Sequence, residues 1–186
     1  TSQPAAGVPP VPETEPSSWD PIAFNRMRGN AGAIPDSYLP SINGEEGVSA
    51  HLGKHLPYVP NAEVDVPEGY VAIMWGDPDK GYVRHPNAPR NESNDYEGHW
   101  YNWIRIRRAD DPSAEELESA YSEWPGTEPS DTGAYAVFGG GDITAESGKN
   151  TIYLAALPSN VRSGDRVRIW AHCLTHGEYV DFMTIA

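Results

Sequence analysis

The single cysteine of the chain, Cys173, stands three residues before His176 in the segment AHCLTHG. In a turn after a strand, a Cys-x-x-His spacing lets a thiolate and an imidazole reach one metal ion, while backbone N–H groups of the turn face the sulfur. A buried thiol beside a surface histidine would have the same spacing, because free cysteines are often plain core residues. The pair therefore indicates a metal site only together with further ligands.

Three further histidines stand beside glycine or proline, where strands are expected to end. They are His55 in GKHLPY, His85 in VRHPNAP and His99 in GHWYNWI. Loops at one end of a sandwich converge, so we expect these side chains to meet Cys173 and His176. Four imidazoles and one thiolate suit a mid-row transition metal, iron above all, whereas zinc needs only four ligands. Five protein ligands leave an octahedral ion one open position, which is reactive when it lies opposite a thiolate.

The two remaining histidines have other interpretations. His51 lies four residues before His55 and is the alternative ligand from this segment. His172 precedes Cys173 on a predicted strand, and successive strand residues point to opposite faces. We therefore expect His172 to face away from the site.

The elements that must position these residues are short strands. Six segments rich in Val, Ile, Tyr and Trp are separated by Gly, Pro, Asn or Asp: residues 70–76, 100–108, 134–140, 151–157, 165–173 and 178–185. This spacing predicts an all-β fold, an antiparallel sandwich of immunoglobulin-like type over residues 51–186. The glycine-rich FGGGD at 138–142 is interpreted as a hairpin turn.

Residues 1–50 are predicted to form a Pro-rich, irregular N-terminal extension, mobile over its first 18 residues, that tethers the domain or packs across it. A short helix is expected within residues 19–30, with Asp20 as its cap and Pro21 at its first position. A second short helix is predicted within the sandwich, over residues 111–124. The polar start of the chain is typical of the stub left by signal-peptide removal, although a trimmed chain would look the same; export is the preferred expectation.

Composition excludes several classes of function. The formal net charge is −14, which repels nucleic acid and anionic lipid. No apolar run of about 18 residues exists, so no membrane span is predicted. A single cysteine excludes an internal disulfide and a second centre built from four thiolates. Exposed sheet edges make a homo-oligomer plausible.

Three motifs, in their order along the chain, resemble those of the superoxide reductases, the iron-binding domain of desulfoferrodoxin and neelaredoxin. GKHLPYV is similar to the family's EKHVP, RHPNAP with GHWYNWIRI to its HPN-x-P-E-H-H-I-x-W-I, and AHCLTHGEY to its C-N-x-H-G-L-W. The resemblance covers residues 50–186 and favours His55 over His51, because Lys54 and Pro57 also fit the motif.

The resemblance implies one iron per chain, cycling between Fe²⁺ and Fe³⁺, with Cys173 as its axial ligand. The equatorial ligands would be His55, His85, His99 and His176. It implies a one-electron reduction of superoxide to hydrogen peroxide. Lys54 would attract the anion and assist protonation. An external electron donor protein would be the partner.

The chain departs from the family pattern at four places. Gly53 replaces a glutamate that can bind the oxidised iron, with Glu45 or Glu46 as possible substitutes. The segment 90–97 looks like an insertion of about eight residues beside the iron, a lid or a partner contact. Leu174 and Tyr179 replace a family asparagine and tryptophan.

Two other functions compete with superoxide reduction. The same iron site could act on peroxide, nitric oxide, a sulfur compound or an organic substrate. Alternatively, the chain is a metal-free immunoglobulin-like binding or carrier module, which would be colourless and would need no histidine cluster.

Overall fold

The computed structural model describes residues 7–61, 64–125, 134–137 and 142–186. Two four-stranded antiparallel sheets face each other, in the orders β1–β2–β6–β5 and β4–β3–β7–β8. The strands are β1 (Pro57–Tyr58), β2 (Tyr70–Trp75), β3 (Tyr101–Arg108), β4 (Leu117–Ala120), β5 (Ala134–Val137), β6 (Thr151–Ala156), β7 (Arg166–Cys173) and β8 (Gly177–Thr184). This confirms the predicted antiparallel β-sandwich.

The alternation of β7 decides which side chains face the core. Ile169 and Ala171 point inward and are buried, whereas Trp170 and His172 point outward and are partly exposed. Strand β3 pairs with β7 along its length, with Trp103 opposite His172. Burying the apolar face of each strand fixes this register, because a slip by one residue would turn every side chain to the wrong face.

The core between the sheets is rich in aromatic residues. Trp75 of β2 stacks on Tyr101 of β3, with 3.7 Å between the ring centroids. Tyr121 donates a hydrogen bond to the Leu154 carbonyl over 2.6 Å, so its buried hydroxyl is satisfied. These contacts join the two sheets near the edge where β3 begins and β7 ends.

The helices are short and precede the first strand. Helix α1 (Pro21–Arg28) has the predicted cap, since the Asp20 carboxylate accepts the Ala23 N–H, and α2 covers Leu39–Ile42. Single helical turns occupy Gly29–Ala33, Asp36–Tyr38, Gly47–Leu52, Gly53–His55, Pro78–Lys80, Glu92–Asn94 and Ala145–Gly148. Within the described residues no helix is both long and apolar enough to cross a bilayer.

The helix predicted over 111–124 is wrong, because this segment contains β4. Its backbone pairs with the edge of β3, and its Glu118 forms an ion pair with Arg105 at 2.7 Å. Ser119 is fully buried and accepts the Ala156 N–H. Pairing with a sheet edge overrode the local helix propensity. Of the predicted hairpin at 138–142, residues 138–141 lie outside the described chain.

The described part of the N-terminal segment contacts the outer face of the β4–β3–β7–β8 sheet. Arg168 of β7 donates to the Pro12 carbonyl, and Arg166 forms an ion pair with Glu15. Asn25 of α1 exchanges two hydrogen bonds with the Val180 backbone in β8. The segment therefore packs against the sandwich through β7 and β8.

Candidate metal centre

The candidate ligands come from separate elements that end at the same edge of the sandwich. Cys173 is the last residue of β7, and His176 lies in the turn that leads to β8. His99 stands two residues before β3, whose first residue pairs with Cys173. His55 closes the turn before β1, and His85 lies in the loop after β2, where its N–H bonds to the Trp75 carbonyl. Strand pairing thus brings residues that are far apart in sequence to one place.

Four of these side chains form a group suited to one metal ion. Each of His55, His99, Cys173 and His176 offers one ligand atom, and the four atoms lie within 4.8 Å of one another. His99 Nε2 is 3.0 Å from His176 Nδ1, which is 3.9 Å from the Cys173 sulfur. Three imidazoles and a thiolate at these distances are compatible with a metal site.

His85, the fifth predicted ligand, lies outside this group of four but touches it. Its Nε2 is 3.5 Å from the Cys173 sulfur, and its ring lies 4.2 Å from that of His99. The structure therefore brings all five predicted ligand side chains together, with His85 set slightly apart.

The histidine cluster leaves two buried nitrogens, His55 Nε2 and His85 Nδ1, without a hydrogen-bond partner among the described residues. His55 Nδ1 contacts the His51 carbonyl at 2.6 Å, and because a carbonyl only accepts, this nitrogen carries the proton. His55 Nε2 is then a lone-pair acceptor, buried and without a hydrogen bond. An unpaired buried acceptor is costly, whereas a ligand histidine held by a backbone carbonyl is the usual arrangement around a metal. The residues present therefore fit a metal ion.

The histidines of the cluster are held neutral. Burial lowers the pKa of His55 and His85 well below the usual value, with the neighbouring histidines adding to the effect. Burial also lowers the pKa of His99 to about 4 and that of His176 to about 3. A neutral imidazole is the form that binds a metal.

The thiol, by contrast, must lose its proton to become a ligand. Burial raises the pKa of Cys173 to about 11, opposed by the N–H groups of Thr175 and His176 and by the Lys54 charge. Metal binding at neutral pH should therefore release one proton, from the thiol.

These pKa shifts predict that the metal-free chain is less stable in acid. The unfolded chain binds more protons than the folded one between pH 6.5 and the folded pKa values of about 4 and about 3. The free energy of unfolding should therefore fall as the pH drops through this window, by roughly 1.4 kcal/mol per pH unit for each histidine. Urea unfolding of the metal-free chain at pH 7, 6 and 5 measures this. A His99→Gln variant should have a shallower slope, and an equal slope would contradict the account.

Lys54 is the cation that acts on the whole cluster. Its charge contributes to the lowered pKa values of His55, His85, His99 and His176. The ammonium group is half-buried, has no hydrogen bond or ion pair within the described chain, and has its own pKa lowered by burial. No described carboxylate contributes to the shifted pKa of any of the five candidate ligands. The centre is locally positive in a strongly acidic chain.

His51 and His172 have other contacts. His51 Nδ1 bonds to the Tyr38 hydroxyl at 2.9 Å, so it does not take the place of His55 in the group. His172 lies on the outer face, where it stacks on Trp103 and contacts the Asn102 side chain. The strand alternation predicted this orientation.

Tyr82 explains why glycine stands before Lys54. A Cβ atom at the buried Gly53 would overlap the Tyr82 ring and come within 2.7 Å of the Val48 carbonyl oxygen. Gly53 itself offers no ligand, and a side chain at this position would first have to displace Tyr82. Glu45 and Glu46 are exposed and do not belong to the ligand group.

Gly53→Ala is expected to destabilise the fold by about 1–3 kcal/mol, because the Tyr82 ring must move. Thermal unfolding measures the loss. Adding Tyr82→Ala should recover part of it by making room, and a strictly additive double variant would contradict this packing.

Two tyrosines that sequence reasoning did not assign to the site form its walls. Tyr38 stacks on the His176 ring at 3.9 Å between centroids. Tyr179 stacks on His55 at 4.3 Å and donates a hydrogen bond to the His176 carbonyl. The sequence did mark Tyr179, because this residue replaces a tryptophan of the family motif. No sequence feature marked Tyr38, because it lies in the N-terminal extension, outside the three motifs.

The segment 90–97 forms an arm beside His99. Its base is the pairing of Ala88 with the candidate ligand His99, and its tip is closed by Asn91 and Tyr96. A cavity of about 500 Å³ lies between the arm and Leu174, the residue after Cys173. None of the five candidate ligands lines this cavity, and Leu174 is the lining residue that adjoins one of them in sequence.

Comparison of the chain with protein-family models, curated proteins and solved structures finds no match. The likeness to the superoxide reductases therefore rests on the three sequence motifs.

Proposed function

We propose that the chain is a mononuclear non-haem iron oxidoreductase of superoxide-reductase type. The observation that carries the proposal is the buried group of His55, His99, Cys173 and His176, with its ligand atoms within 4.8 Å of one another. Together with His85 these residues would hold one iron ion. A bound iron would supply the single electron that converts superoxide into hydrogen peroxide.

The ligand set favours iron over zinc. A structural zinc site takes four ligands and is richer in sulfur, whereas four imidazoles and one thiolate suit an ion of higher coordination number. The Thr175 and His176 N–H groups face the sulfur and moderate the charge that it donates.

Lys54 gives the centre its preference for a small anion. Its ammonium group has no carboxylate partner in the described chain, so its charge is available at the site. An unpaired, half-buried cation attracts an anion at short range, even though the net charge of −14 repels it at long range.

Lys54 also supplies protons. Reduction of superoxide to hydrogen peroxide consumes one electron and two protons. Burial lowers the pKa of Lys54, which makes its ammonium group a better proton donor to the product through water.

Pulse radiolysis of the reduced, iron-loaded chain tests this function. One superoxide should oxidise one chain and yield one hydrogen peroxide, with a thiolate-to-iron absorption band appearing in the red. Release of dioxygen would indicate dismutation, and a chain that does not react would exclude superoxide as its substrate.

The cavity beside the arm favours a second candidate, the same iron centre acting on a larger organic or sulfur substrate. Its volume of about 500 Å³ is far greater than superoxide requires and falls within the usual range for small-molecule sites. Shortening the arm by deleting residues 91–96 should then abolish turnover of such a substrate while the reaction with superoxide persists. The metal-free carrier alternative is disfavoured by the unpaired His55 Nε2.

A further inference from the structure

An aromatic row lies on the outer face of the sheet, directly behind Cys173. Trp103 of β3 stands opposite His172 of β7, and their rings are nearly parallel, 5.6 Å apart at 11°. Trp170 meets Trp103 edge to face at 5.7 Å. All three side chains are partly exposed. The row therefore begins in solvent and ends at the residue bonded to Cys173.

Polar contacts hold this row in place. The Arg105 guanidinium lies 4.0 Å from the Trp103 ring centre and 4.7 Å from that of Trp170, an attractive cation–π arrangement. Trp170 Nε1 donates to Glu178 over 2.7 Å, and His172 Nδ1 contacts Asn102 Oδ1. The rings are fixed relative to one another and stay partly exposed, although the Arg28 guanidinium of α1 lies 5.8 Å from the Trp170 ring centre.

In the proposed function an external donor must reduce the metal again after each turnover. An electron route away from Lys54 leaves the approach of the substrate free. Cys173 is fully buried, so a protein donor cannot touch its sulfur directly. Lys54 is half-buried and its charge acts on the cluster, so the anion is expected to approach from its side. The His172 side chain lies on the outer face of the sheet. One peptide bond joins His172 to Cys173, whose side chain lies on the inner face.

We propose that Trp170, Trp103 and His172 form the electron input path to the metal held by Cys173. The inference rests on the proposed function. The donor is a one-electron donor protein with a basic face, because the chain carries a net charge of −14 and opposite charges speed docking. The donor would lose one electron, and the stacked rings and the Cys173 side chain would carry it toward a bound metal. No bond is broken and no proton moves.

Reduced cytochrome c, a basic one-electron donor protein, is a suitable probe. The iron-loaded chain is first oxidised with ferricyanide, so the test does not depend on superoxide. Trp103→Leu should slow the reduction of the oxidised chain by at least about tenfold. Substitutions at one interface commonly change the association rate constant of two proteins on this scale. Trp103→Phe should retain most of the rate, since it keeps an aromatic ring. Tyr70→Leu, on the other sheet, should leave the rate unchanged.

A second readout is independent of electron transfer. In the full chain loaded with diamagnetic zinc, added cytochrome c should shift the indole N–H signals of Trp103 and Trp170 in nuclear magnetic resonance spectra. The signal of Trp75, buried in the other sheet, should stay in place.

The outcomes separate the two proposals. Equal reduction rates for wild type and Trp103→Leu, or indole shifts elsewhere, overturn the path. A wild-type chain that accepts electrons through Trp103 but is inert to superoxide overturns the superoxide function alone. A chain that holds no redox metal overturns both.

Discussion

Replacing Cys173 with serine is expected to weaken iron binding by at least about 100-fold and to abolish the red absorption band of the oxidised chain. The sulfur lies 3.5 Å from His85 Nε2 and 3.9 Å from His176 Nδ1, so it contacts candidate ligands from two separate loops. A serine hydroxyl is a harder and weaker donor that stays protonated at neutral pH. Metal analysis after dialysis, together with the visible spectrum, measures the effect.

The adjacent histidine provides a matched control. His172 lies next to Cys173 but on the outer face, stacked on Trp103. His172→Gln should therefore bind iron as wild type does and keep the band. If this variant lost iron as Cys173→Ser does, the assignment of inner and outer faces at the end of β7 would be wrong.

Replacing Lys54 with alanine is expected to slow the reaction of superoxide with the reduced chain by about tenfold or more. Without the ammonium group, the overall negative field of the chain is opposed mainly by the more distant Lys149 charge. The sign of the salt dependence is the sharper observable. The wild-type rate should fall as salt screens the attraction to Lys54, whereas the Lys54→Ala rate should rise as salt screens the overall repulsion.

Lys80 is a suitable control, because it is an exposed lysine in the turn Pro78–Lys80, outside the cluster. Lys80→Ala should leave both the rate and its salt dependence nearly unchanged. A Lys54→Ala variant that reacts at the wild-type rate would exclude a role for this residue in attracting the substrate.

The sandwich could be predicted from sequence because its signal is local and repeated. The alternation in residues 165–173 specifies both the strand and the inward direction of Cys173, and β7 has that orientation. The segment 111–124 misled the prediction, because acidic residues after a proline favour a helix locally while the free edge of β3 is distant in sequence. Edge pairing is a tertiary effect that no local pattern contains.

The site was predictable only in part. Histidines beside glycine and proline identified the side chains that converge on Cys173, since loops at one end of a sandwich meet. The slight separation of His85 from the group of four depends on how the long 85–99 loop folds, which composition does not specify. Stacking of Tyr38 on His176 depends on the N-terminal segment packing back over the site. The tight contact of Gly53 with Tyr82 likewise joins residues 29 positions apart.

The central claim is that the cluster around Cys173 holds one redox-active iron. Metal analysis of the chain purified from iron-replete cells, with the visible spectrum recorded after oxidation, tests it most directly. We predict about one iron per chain, as one five-ligand site requires, and a thiolate-to-iron band in the red. A chain that contains no iron, shows no band after iron is added back, and is unchanged by Cys173→Ser would contradict the account.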